Sequence, residues 1–491
     1  MTQLGDSKFI WCSFLVLIFA CSSPQQRELK WSTRFSTLGT FSSPKCADLN
    51  GDGILDVVIG AGENEFVASD SSVLALNGVD GSVLWTIAGR DQMFGSAVFA
   101  DMNKDQNLDV IIAGRAAQLK CIDGPTGKLI WEFKVKHNER DAKGYTRFNF
   151  FNPQIINDQD NDGIQDLLIS NGGNIAAYLK DGSDRSPGTL ALLSGMTGAF
   201  IAVDTMPDRS ETYMCPLLVD LNADGRDEVI YGSGGEMQGG SLYVAQLEDL
   251  LNGDLSNSHV LITKSDHGFI APPTIVDLNQ DGHLDIIANW HGGAMIAFDG
   301  KTLKELWSYY KSGTEINAMA TPGDVNGDQI PDFFITSYKG RWPNNKGAFQ
   351  VVIDGVNGQP LYQDSIGCAG LSSAIAYDFD QDGRTEFLFS TNQFNCSGIY
   401  LGDTEYKLHL LDINDNKRET WLGPFTGKNL GSTPWLGDLD EDGDLEMINC
   451  IQANYNDLGS FYGLIINRID LGIEARDGGW KEYMDWREIT E

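Results

Sequence analysis

The residues from Asp277 to Asp285, DLNQDGHLD, set oxygen-bearing side chains at positions one, three, five and nine: Asp277, Asn279, Asp281 and Asp285. Position six is Gly282, where the chain can turn sharply, and position seven, His283, offers its backbone carbonyl. Hard oxygens at alternating positions, closed by a carboxylate, suit Ca2+, which takes roughly six to eight oxygen ligands.

The pattern occurs seven more times. The side-chain donors are Asp48, Asn50, Asp52 and Asp56; Asp101, Asn103, Asp105 and Asp109; Asp158, Asp160, Asp162 and Asp166; and Asp220, Asn222, Asp224 and Glu228. Further along come Asp324, Asn326, Asp328 and Asp332; Asp378, Asp380, Asp382 and Glu386; and Asp438, Asp440, Asp442 and Glu446. The position-seven carbonyls belong to Ile54, Asn107, Ile164, Arg226, Ile330, Arg384 and Asp444. Up to eight Ca2+ are therefore expected. Gln106 and Gln329 replace glycine at position six. A left-handed non-glycine residue costs about 1 kcal/mol, so the sites at Asp101 and Asp324 are expected to be the weakest.

These are not EF-hands, which need glutamate at position twelve and flanking helices. Position twelve here is Ile59, Ile112, Ile169, Tyr231, Ala288, Ile335, Phe389 and Asn449. The flanks, such as Asp56-Val57-Val58-Ile59, are short and β-branched or aromatic, which predicts strands. The first aspartates recur every 47 to 62 residues, the period of a repeat architecture. Trp31, Trp85, Trp307 and Trp421, with Tyr362 as a variant, stand 16 or 17 residues before a first aspartate. Gly-bearing turns such as Asp80-Gly81-Ser82 and Asp123 to Gly127 separate two further apolar runs.

Each repeat thus reads as four strands, A to D, with the acidic loop between A and B, a Gly turn between C and D, and the aromatic on D. The expected fold is all-β: an eight-bladed β-propeller of four-stranded antiparallel blades over residues 31–469. Trp31 precedes the first loop, so the N-terminal strand is expected to complete the last blade and close the ring. Residues 470–491 are expected to form a C-terminal tail.

Lys8 and the apolar run Phe9 to Ala20 form an export signal, too short to span a bilayer. Leu17 to Cys21 resembles a bacterial lipobox, which implies that residues 1–20 are cleaved and Cys21 lipidated, with 21–30 as a tether. The expected location is the outer membrane, facing the periplasm or the cell surface and held by the lipid anchor alone. The net charge of −34 and the absence of a basic stripe argue against nucleic acid. Cys368 and Cys396 could bridge within one repeat; the remaining scattered cysteines show no zinc spacing.

The eight loops, with the run Val57-Val58-Ile59-Gly60-Ala61-Gly62, resemble the FG-GAP/VCBS repeats of integrin-α-type calcium propellers. Asp123 to Trp131, Asp-Gly-x-Thr-Gly before a Trp, looks like the docking motif of eight-bladed quinoprotein-like propellers, which include both dehydrogenases and an outer-membrane assembly lipoprotein. The calcium-bearing rhamnogalacturonan lyases are similar in architecture.

No HExxH pair, GxSxG elbow or adjacent cysteine pair is present. Strand parity puts the acidic loops and Gly turns on one face and the variable loops on the other. That second face is expected to carry Arg147, Tyr213, His267, Phe269, Trp290, His291, Arg341 and Trp342 around the channel mouth. The expected function is that of a monomeric, calcium-stabilised binding or assembly module without catalysis, its partner an envelope protein or a polysaccharide. The alternative is a polysaccharide lyase, with His267, His291, Arg147 or Arg341 as base and carboxylate-neutralising groups.

Overall fold

The computed structural model describes residues 27–64, 66–134, 149–172, 187–342, 344–394, 396, 404–454 and 461–485. They form eight antiparallel sheets, seven of which follow the chain from innermost to outermost strand. Blade 1 is Lys45–Ala47, Asp56–Gly60, Ser69–Leu76 and Val83–Gly89; blade 5 is Thr274–Val276, Asp285–Trp290, Ala294–Phe298 and Glu305–Tyr310. Strand A is three residues long in every blade and ends one or two residues before the first aspartate of the acidic loop. Strands B and C bury both faces, as in DVVIG of blade 1, so they read as continuous apolar runs.

Blade 8 is built from Trp435–Gly437, Asp444–Gln452 and Leu464–Glu474, with Glu28–Phe35 added at its outer edge. Trp31 pairs with Arg468 and Glu28 with Asp470, so the N-terminal strand closes the ring as expected. This strand starts at Glu28, inside the stretch read as tether, and the last strand runs to Glu474, past the expected boundary at 469.

Two departures from the four-strand plan occur. Blade 6 carries an extra strand, Thr314–Ile316, which pairs with Ser337 to Lys339. In blade 4 the turn between strands C and D is replaced by an α-helix, Leu247–Leu251, the one helix among the described residues. None of the described helical structure is long and apolar enough to cross a membrane.

The tail has a definite place. Trp480 exchanges backbone hydrogen bonds of 2.9 and 2.7 Å with Ala376 on strand A of blade 7, and the Lys481 carbonyl accepts from Leu436 N–H on strand A of blade 8. Lys45, on strand A of blade 1, donates to the Tyr483 carbonyl at 2.6 Å and pairs with Glu482 at 2.9 Å. Residues 480–483 therefore lie in the central channel, bridging three innermost strands.

Candidate metal loops and ligand face

All eight loops share one backbone plan. The carboxylate of position one accepts the N–H of position six in each, for example Gly282 to Asp277 at 2.9 Å and Gln106 to Asp101 at 2.9 Å. Gln106 and Gln329 do adopt left-handed φ values of 72° and 69°. Position four, however, is left-handed everywhere: Gly51 and Gly327, but also Lys104, Asn161, Ala223, Gln280, Gln381 and Glu441. The loop at Asp324 thus holds one left-handed non-glycine residue, as do five others, and the loop at Asp101 alone holds two. Backbone strain singles out Asp101, not Asp324.

Position nine does more than close a loop. Asp56 is fully buried; one of its oxygens accepts Leu49 N–H at 3.2 Å and the other accepts Gly78 N–H at 3.0 Å, from the turn between strands C and D. Asp166, Asp285 and Asp332 bind Gly195, Gly300 and Gly355 in the same way. These glycines are needed for close approach: a Cβ at Gly355 would stand 2.0 Å from the Pro331 carbonyl oxygen, and one at Gly300 1.8 Å from that of Leu284. The carbonyl of the same turn glycine accepts an indole N–H from the preceding blade. Trp31 donates to Gly78, Trp85 to Gly124, Trp131 to Gly195 and Trp307 to Gly355, all at 2.7–2.8 Å. One residue thus joins the acidic loop of its own blade to the wall of its neighbour.

Burial raises several of the position-nine carboxyls strongly, among them Asp56 to about 6, Asp332 to about 7 and Glu386 to about 8. A cation beside such a group would favour its ionised form. Asp378, Asp380, Asp382 and Glu386 bring carboxylate oxygens within 4.8 Å of one another, as do the trios Asp158, Asp160, Asp166 and Asp438, Asp440, Glu446. An all-oxygen set of this kind fits Ca2+. In blade 8 a protein cation is already present: the Arg468 guanidinium bonds Asp440, reaches Glu446 at 3.0 Å and donates to the Gly78 carbonyl at 3.1 Å. Arg468 was not legible as a site residue, because it lies on strand C, outside the loop.

The opposite face is less open than expected. Phe269 is wholly buried in the core shared by blades 4 to 7 and cannot touch a ligand, which corrects its assignment to the channel mouth. His291 is also fully buried; burial, with His267 and Arg341 nearby, lowers it to about 4. Trp290 is 8% exposed, with Lys264 Nζ 4.8 Å from its ring and Tyr310 stacked at 6.1 Å. Tyr213 is half-buried against Phe151 at 5.7 Å; Arg341 is exposed, and Trp342 packs partly into the Leu430–Phe461 cluster. The channel-filling tail further narrows the surface left to a ligand. Residues 1–20, Cys21 and Arg147 lie outside the described residues. Cys368 and Cys396 form a disulfide.

Sequence reading missed Glu315. It sits on the extra strand of blade 6, 4% exposed, raised to about 7 by burial, and accepts Trp342 N–H at 2.8 Å.

Residues 220–288 match the FG-GAP-like repeat family, and residues 19–204 match the family described as outer membrane protein assembly factor BamB. Mouse Protein FAM234B is 20% identical over 451 residues, which cover 81% of this chain and 66% of that protein, so the chain spans just under two thirds of its length. A europium-containing methanol dehydrogenase superposes with a TM-score of 0.59 at 10% identity, covering 91% of this chain and 94% of the other. The exotype rhamnogalacturonan lyase YesX gives 0.54 at 14% identity, covering 89% and 72%. The quinohemoprotein alcohol dehydrogenase of Comamonas testosteroni gives 0.55 at 10% identity, covering 92% and 78%. At these identities the likeness is one of fold.

Proposed function

We propose that this chain, an eight-bladed propeller carrying FG-GAP-like repeats with quinoprotein-like docking, is a calcium-stabilised binding or assembly module of the cell envelope. Its acidic loops fasten the ring, its ligand face takes an envelope protein or a polysaccharide, and the Cys21 lipid holds a monomer at the outer membrane. The observation that carries this reading is the turn glycine that joins a buried loop carboxylate to the neighbouring blade's tryptophan. A cation at such a loop would stabilise two blades at once. The match of residues 19–204 to an outer-membrane assembly factor family supports the binding role.

The test is affinity capture from envelope extracts by the mature protein, with calcium and with chelator, beside Tyr213→Ala and Arg341→Ala. A partner retained in calcium and lost in chelator and in both variants is expected. Capture that is indifferent to all three would contradict the reading. So would cleavage of uronate polymers to unsaturated products, which would establish the lyase alternative. Lipidation is checked separately: labelled palmitate should enter the wild-type chain and not Cys21→Ala.

A further inference from the structure

Three buried groups on the ligand-face side of blades 5 and 6 have a chemistry unlike that of the acidic loops. His267 lies in the connection into blade 5, His291 just beyond its strand B, and Glu315 on the extra strand of blade 6. One donor atom of each lies within 4.8 Å of the other two, and the residues are 7%, 0% and 4% exposed.

Their surroundings orient them. The His267 carbonyl accepts Trp290 Nε1–H at 2.9 Å, His291 N–H donates to Gly268 at 3.1 Å, and the His291 carbonyl accepts Ile316 N–H at 3.0 Å. His291 Nδ1 faces the Ile316 carbonyl at 3.3 Å; the carbonyl can only accept, so the proton sits on Nδ1 and the lone pair on Nε2. Nε2 stands 3.8 Å from Glu315 Oε1, too far for a hydrogen bond. The other carboxylate oxygen, Oε2, takes the Trp342 N–H. His267 Nε2 is buried and has no hydrogen-bond partner among the described residues. His291 Nε2 is likewise buried without a hydrogen-bond partner, its 3.8 Å separation from Glu315 being too long to supply one, and an unpartnered buried imidazole nitrogen is costly.

We propose that His267, His291 and Glu315 form a site for a divalent transition-metal ion of the zinc class, distinct from the calcium loops. Two imidazoles and one carboxylate suit Zn2+ and disfavour Ca2+, which prefers oxygen alone. The Ile316 carbonyl behind His291 and the Trp342 amide behind Glu315 are outer contacts of the sort that hold metal ligands in place. Three protein donors leave one tetrahedral position for water or a ligand atom. The exposed Arg341 beside the cluster makes an anionic ligand the fitting occupant of that position. The inference stands whether or not the acidic loops hold calcium.

The full mature chain, stripped of metal and then saturated with calcium, is titrated with zinc chloride in a calorimeter, and the loaded protein is measured by zinc K-edge X-ray absorption. One zinc per chain with two imidazoles in its shell is expected. His267→Ala and Glu315→Gln should each weaken binding by more than the roughly 10–100-fold that loss of an outer contact costs, with the near-ultraviolet circular dichroism unchanged. No uptake in the presence of calcium, or a shell of oxygens alone, would overturn the proposal without recourse to any variant. Folded variants that bind zinc as the wild type does would also overturn it.

Discussion

At the scale of single residues, the turn glycines and the tryptophans that meet them are where substitution is expected to cost most. Gly355 cannot accept a side chain, since a Cβ would stand 2.0 Å from the Pro331 carbonyl oxygen, with Ile330 close behind. Gly355→Ala should therefore cost more than about 4 kcal/mol, as read from denaturant unfolding. Trp307→Phe keeps a ring in the seam but leaves the Gly355 carbonyl without its donor, so a loss of about 1–3 kcal/mol is expected. Both roles of these glycines were half visible in the sequence. The Asp-Gly pairs announced turns, but the first glycine is there for close approach and a later residue supplies the left-handed turn. Leu303, at φ 55° in blade 5, shows that the later position does not need glycine. Position four of the acidic loops escaped notice for the same reason: lysine, alanine and glutamine there give no sign of positive φ.

At the scale of elements, the acidic loops and strands were legible because both are periodic: oxygens at alternating positions, apolar runs on either side. Features carried by one blade alone were not. The extra strand Thr314–Ile316, the helix Leu247–Leu251 and the Arg468 guanidinium reaching into a loop have no recurrence to betray them. The loops also carry a pH signature. In calcium-free protein burial raises Asp56 to about 6, Asp332 to about 7 and Glu386 to about 8, above unfolded values near 4. The folded state then binds more protons than the unfolded one across this window, so stability falls as pH rises from about 4 to about 8. Melting temperatures in chelator should decline over that range. Calcium should flatten the profile, because the ion holds the carboxylates ionised. A calcium-free profile that rises with pH would show that the buried carboxyls are paired in another way.

At the scale of the whole molecule, ring closure by Glu28–Phe35 was predictable from an unpaired Trp31 ahead of the first loop. The destination of the tail was not, since a short irregular sequence contains nothing that points to the channel of a wheel. Trp480 is 6% exposed among innermost strands of several blades, so Trp480→Ala should cost about 3–5 kcal/mol and lower the unfolding midpoint without abolishing the β-sheet signal. The central claim is that cations at the acidic corners hold the ring together, and scanning calorimetry of the mature protein in calcium and in excess chelator tests it most directly. A single site held at 100 times its dissociation constant adds about 2.7 kcal/mol, so several sites together predict a large downward shift in chelator that added calcium reverses. Asp281→Ala should remove part of that shift, and more of it than Asp105→Ala. Superimposable traces in calcium and in chelator would contradict the account.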